Sequence, residues 1–209
     1  MINKTLIATI IACLVAVVAA GYLFFGASSS ATNANSIDAM ADAFPTSGAS
    51  AAQLGDNQQT AGPRTPPAHC GEAAGASCVE YRNEKYHFSL FHSDKQTVKE
   101  YDEGGGASTI TFENIDGGRG FQIFIVPYGG DKVSKERFQR DVTSGVMKNP
   151  QNVSVAGAFG TMFESQDLSL GDTREIWFIH DGYLYEVTTL KVLDDVIEGV
   201  MQTWAFIEQ

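Results

Sequence analysis

The chain has 209 residues, 25 Asp and Glu against 14 Lys and Arg, and a formal net charge of −11. It lacks the basic stripe that phosphate neutralisation requires, so no nucleic acid partner is expected. Residues 70–209 hold 22 of the acids and 12 of the bases, a balance that also opposes lying flat on anionic lipid.

The uncharged run from Thr5 to Phe25 has the length of about 20 apolar residues that a helix needs to cross a bilayer. Lys4 and the terminal amine precede it and no cation follows until Arg64. The positive-inside rule therefore predicts a cytoplasmic N-terminus and a C-terminal domain outside the cytoplasm of a single-pass membrane protein. Residues 1–25 are read as an N-terminal transmembrane anchor, with a cleavable signal peptide as the alternative. Val18-Ala19-Ala20 and Ser29-Ser30-Ala31 offer cleavage sites, but the core exceeds the usual length of about 7 to 15 residues. Ile10-Ile11-Ala12-Cys13 resembles a lipoprotein cleavage box, although cutting there leaves Leu14 to Phe25 apolar on the mature chain.

Residues 26–69 turn to Ala, Ser, Thr, Asn, Gln, Gly and Pro. Large apolar residues there are too isolated to repay ordering entropy, which predicts a disordered linker. Its Pro63-Arg64-Thr65-Pro66-Pro67 end is stiffer, because proline fixes φ and favours an extended chain.

The third segment, 70–209, has the length of one domain. Cys70 and Cys78 enclose residues 71–77, a small and flexible loop, and in an exported protein this pair reads as a disulfide. His69 beside Cys70 raises a catalytic or metal-binding thiol as the alternative, yet zinc-ligand spacing is absent. Strands follow at Val79–Arg82, Tyr86–Phe91, Thr97–Tyr101, Ser108–Glu113 and Gly120–Tyr128. Phe121 to Val126 is apolar on both sides of the pleat, so that strand is expected to be covered on both faces. Ser134 caps a predicted helix carrying Phe138, Val142 and Val146, stopped by Asn149-Pro150. Strands resume at Val153–Val155, Gly157–Ser165, Arg174–His180 and Tyr183–Leu190, with Asp181-Gly182 as the tightest hairpin signal. Leu193, Val196, Ile197, Val200, Met201 and Trp204 then form the stripe of an amphipathic helix. The element order predicts an α+β domain, a mainly antiparallel sheet sandwiched between helices.

Tyr81-Arg82-Asn83 with Tyr86-His87-Phe88-Ser89-Leu90, the late Gly182-Tyr183-Leu184-Tyr185 and the closing Thr203-Trp204-Ala205-Phe206 resemble the PsbP-like family over about residues 79–209. That resemblance implies a small α/β/α sandwich serving as a non-catalytic binding or assembly module, often exported behind a signal or anchor. The chain differs from the family pattern at His87, a position commonly Gly, and at His92-Ser93, commonly an aromatic-proline pair. No family binding residue carries across.

Chemistry-bearing residues are few. His87 and His92 stand five apart, on opposite faces of one strand, and cannot share a metal there. Residues Asp167 to Asp172 offer hard oxygens near a glycine turn, but too few carboxylates for a calcium loop of the EF-hand type. Asp102-Glu103 reads as a solvated turn and Asp194-Asp195 as a helix start, while Asn152-Val153-Ser154 is a glycosylation sequon. No phosphate loop or acyl-transfer elbow occurs, and no catalytic, cofactor-binding or metal residue is assigned. The expected function is a membrane-anchored, extracytoplasmic, non-catalytic binding or assembly module with a protein partner in the cell envelope. The competing class is an envelope enzyme using thiol or carboxylate chemistry.

Overall fold

The structure, a computed structural model, describes residues 52–54, 64–68, 70, 77–142 and 144–207, the first three by backbone alone. The strands are β1 (Ala52–Leu54), β2 (Cys78–Asn83), β3 (Phe88–Ser93), β4 (Thr97–Gly104), β5 (Ala107–Asn114), β6 (Arg119–Pro127), β7 (Lys148–Val155), β8 (Ala158–Asp167), β9 (Gly171–His180), β10 (Tyr183–Leu190) and β11 (Ala205–Phe206). Helix α1 (Lys135–Asp141) lies between β6 and β7, and a 3-10 turn (Lys191–Leu193) leads into α2 (Asp194–Met201) before β11.

Eight strands form one sheet in the order β1-β7-β8-β9-β10-β6-β5-β4, and a second sheet runs β11-β3-β2. All pairings are antiparallel except β1 with β7. Alternation along β6 and β9 divides the buried side chains between the two faces of the large sheet. Phe121, Ile123, Ile125, Ile176 and Phe178 join one core with Phe88 and Leu90 of β3 and Ile197, Val200 and Met201 of α2. Phe124, Val126 and Trp177 join the opposite one with Phe138 of α1. At the centre of the first core Trp204 is fully buried, stacked on Phe88 at 4.4 Å between centroids and edge-on to Phe178 at 5.2 Å. Such ring pairs add to what area burial alone contributes.

This architecture corrects the expected sheet sandwiched between helices. The molecule is mostly β: over the first core lies a second sheet, with the eight-residue α2 beside it, and α1 is only seven residues long. Ser134 caps α1 as expected, its Oγ accepting from Arg137 N at 3.1 Å, but the helix stops at Asp141. The Phe138–Val142 spacing fits one helical turn, and Val146 falls outside it. Asn149 and Pro150, expected to lie between elements, sit inside β7, where Asn149 takes φ 51° and the register shifts between Lys148 and Gln151. Pro150 is tolerated because β1 pairs only with residues Val153–Val155 of that strand.

Of the expected anchor and linker, only parts of the linker fall among the described residues. No helix among the described residues is long and apolar enough to cross a membrane, and the expected transmembrane segment, 5–25, lies outside them. Within the stretch read as disordered linker, 52–54 pair as a strand and Arg64 packs on the three-stranded sheet.

Candidate functional site

Cys70 and Cys78 are bonded, with Cα atoms 5.7 Å apart. Cys78 opens β2 opposite Ser93 of β3, so the bond fixes the incoming chain to the three-stranded sheet. His69 lies outside the described residues. Upstream, Arg64 donates to Ser89 Oγ at 3.0 Å and to the carbonyl oxygen of Thr203, and its guanidinium lies 5.1 Å from the Phe91 ring centroid. Burial lowers its pKa from the ordinary value, while Glu80 acts in the opposite sense.

The structure separates the histidines. His87 belongs to the turn before β3 rather than to the strand, at φ 51°, a conformation glycine adopts without strain. His92 is buried against Phe112, its ring Nδ1 2.9 Å from the Ser93 carbonyl oxygen, and burial lowers its pKa. His180 stacks on Phe206 at 3.5 Å.

The sequence-paired carboxylates serve local structure. Asp102 accepts from Gly104 N at 2.9 Å, and Asp167 accepts from Ser169 N at 2.7 Å and Leu170 N at 2.9 Å, closing its turn. Asp194 receives Arg174 at 3.0 and 2.7 Å as well as Lys191, and Asp195 is exposed in the first turn of α2. Asn152 and Ser154 lie inside β7, opposite Thr161 and Phe159 of β8. Among the described residues no group of three His, Cys, Asp or Glu side chains is placed to hold a metal ion.

Sequence reasoning missed a buried charged layer between α1 and the sheet. Arg137 of α1 pairs with Asp141 one turn on and reaches Glu186 of β10 at 3.3 Å. Burial first, then neighbouring Asp141, raises the Glu186 pKa well above the usual carboxylate range. Glu175 of β9 accepts from Thr188 at 2.7 Å, Thr173 at 2.9 Å and Trp177 Nε1 at 3.3 Å, and burial raises its pKa to about 7 against these three donors. The available signal was an acid inside a strand otherwise covered on both sides, Glu175 before Ile176-Trp177-Phe178 and Glu186 after Tyr185. Glu175 is held by neighbours on β9 and β10, and the Arg137–Glu186 pair fastens α1 to the sheet.

One end of the large sheet carries an apolar row. The β8–β9 turn exposes Leu168 (95%), the chain after β10 exposes Val192 (86%), and the β5–β6 turn exposes Ile115 (42%). The pairings Asp167 with Gly171, Thr173 with Leu190 and Asn114 with Arg119 put all three beyond the same end. At the usual strand spacing of about 4.8 Å, the order β8-β9-β10-β6-β5 spreads them over about 14 Å. Asp116, Asp172 and Asp195 are exposed around them, Arg174 and Lys191 are engaged by Asp194 and Glu164, and Arg119, opposite Asn114, is half-buried at the same end.

No family model matches this sequence, and no curated protein matches it. A similar solved structure is the solution structure of cyanobacterial PsbP (CyanoP) from Synechocystis sp. PCC 6803, with a TM-score of 0.47 and 14% identity, covering 66% of this chain and 97% of that one.

Proposed function

We propose that the chain is a non-catalytic binding or assembly module of the cell envelope, anchored by residues 5–25 with residues 70–209 outside the cytoplasm. The apolar row carries this reading. Ile115, Leu168 and Val192 are the exposed aliphatic residues of one sheet end; elsewhere among the described residues only Val79 and Phe159 are exposed large apolar side chains. Clustered apolar exposure marks protein contact. The acidic rim favours a partner whose apolar recess is edged by Lys and Arg, and it disfavours an anionic lipid surface.

The thiol alternative loses support because Cys70 and Cys78 hold each other. A photo-crosslinking side chain at Leu168 in intact membranes should yield a discrete protein adduct. Replacing Ile115, Leu168 and Val192 together by Ser should abolish that partner's co-purification while leaving the unfolding midpoint within a degree or two. A crosslink to lipid alone, or undiminished capture by the triple variant, counts against the reading. External placement is tested separately, by removal of residues 70–209 with protease added to intact spheroplasts.

A further inference from the structure

The side chain of Arg64 is only 8% exposed, in a stretch whose composition reads as tether. It lies on the side of β3 that faces away from the main core, where Phe91 sits between Leu90 and His92. Four groups of different kinds meet its guanidinium: the Ser89 hydroxyl at 3.0 Å, the Thr203 carbonyl oxygen, the Glu80 carboxylate at 3.9 Å and the Phe91 ring at 5.1 Å. Two neutral acceptors, a carboxylate and an aromatic face are what a planar, five-donor cation requires. A lysine ammonium, compact and strongly hydrated, matches that set less well.

The recess is built by elements that stand without Arg64. Glu80 faces Phe91 across the β2–β3 pair, and Ser89 pairs with Ala205 of β11. Thr203 is fixed by its own hydroxyl, 2.6 Å from the Val200 carbonyl oxygen and 2.8 Å from Phe91 N. The acceptors are thus preorganised on rigid strands and a helix end.

The covalent bond six residues downstream keeps Arg64 local. With Cys70 bonded to Cys78, six residues tie Arg64 to β2; without the bond, fourteen do. Effective concentration falls roughly as the −3/2 power of linker length, so opening the bond lowers it about fourfold.

We propose that this recess is a guanidinium-recognition site, plugged in the oxidised protein by Arg64 and made available to an arginine-bearing segment of a partner protein when a dithiol reduces the Cys70–Cys78 bond. A thiolate of the dithiol attacks the Sγ of half-buried Cys78, and the Cys70 sulfur leaves as a thiolate and takes a proton. The second thiol then closes the reagent's own disulfide and releases Cys78. Two electrons and two protons pass to the protein.

The test uses a fluorescent peptide copying residues 62–68 and the same peptide with citrulline in place of arginine, titrated against the full chain. The dissociation constant for the arginine peptide should fall about fourfold on reduction. It should fall further in Arg64→Gln, which lacks the plug, with little remaining response to reduction. The citrulline peptide should bind at least tenfold more weakly to every form. Equal affinity for both peptides overturns guanidinium recognition. Wild-type affinity unchanged by reduction, with the thiols confirmed free by alkylation, overturns the latch, and an Arg64→Gln variant no tighter than wild type overturns the plug.

Discussion

At the scale of single residues, Glu175 sets a pH dependence that can be signed in advance. Its carboxyl titrates near 7 in the folded chain against an ordinary 4.5, because burial outweighs the three donors around it. The folded state therefore binds that proton more tightly, and the Glu175 contribution to stability falls as pH rises from about 4.5 to about 7, while His92 and His180, whose pKa values burial lowers, act in the opposite sense. Glu186, raised in the same direction by burial and Asp141, reinforces the trend. At about 1.4 kcal/mol per pH unit, the Glu175 contribution is on the order of 3 kcal/mol at most. Glu175→Gln should raise the urea midpoint at pH 8 and leave it nearly unchanged at pH 4.5; a difference between variant and wild type that does not grow across this window contradicts the assignment. Trp204 makes the second residue-scale prediction. Its full burial among Phe88, Phe178 and Tyr185 puts Trp204→Ala in the range of about 3 to 5 kcal/mol of lost stability, read as a sharp fall in denaturation midpoint. That burial was legible from the stripe of Leu193, Val196, Ile197, Val200 and Met201, but the helix expected to carry it is shorter, since Leu193 belongs to the 3-10 turn and Trp204 follows the end of α2 at Met201. Glu175 was not, since an acid within an apolar strand carries no sign of which neighbours will hold it.

At the scale of elements, a seven-residue helix is too short to be stable by itself and holds its place through packing and charge. Phe138 packs against Phe163 and Trp177, while Arg137 ties the helix to Glu186 of β10 and pairs with Asp141 in its own last turn. Removing one partner of a buried cluster strands the others, which costs about 3 to 5 kcal/mol. Arg137→Ala should therefore destabilise strongly, and adding Glu186→Gln should restore part of the loss by removing one of the two stranded carboxyls. An additive double variant speaks against a coupled cluster. The pattern Phe138, Val142, Val146 gave a longer helix than the one formed, because fourfold spacing is satisfied by one turn and Lys148–Val155 gains more by pairing with β8. Hairpins were legible where local geometry decides them: Asp181 and Gly182 take φ 47° and 76°, the positive pair that a tight two-residue turn needs. The three-stranded sheet was not, since β11 contributes two residues and its pairing with β3 spans most of the domain's sequence.

At the scale of the whole molecule, what sequence could not reveal is how the large sheet ends. One edge strand, β4, carries Lys99, Glu100, Asp102 and Glu103, charges of the kind that discourage edge pairing. The other edge, β7, has Asn152-Val153-Ser154-Val155 with no such charge, and there Ala52–Leu54 adds a parallel strand. Ala-Gln-Leu within a low-complexity stretch has no strand signature, so the pairing follows from the open edge it meets and not from local propensity. Three residues in parallel register contribute only a few hydrogen bonds, each about 0.5 to 1.5 kcal/mol net. A chain lacking residues 1–60 should therefore still fold, with a modest loss of midpoint. Its bare edge should pair with another copy, giving a monomer–dimer equilibrium that shifts with concentration in light scattering, and the amides of Val153–Val155 should exchange faster in dilute solution than in the full chain. A strictly monomeric truncated chain with unchanged exchange at those three residues would show that β7 is guarded by its bulge and Pro150 alone, and that β1 is dispensable to the edge.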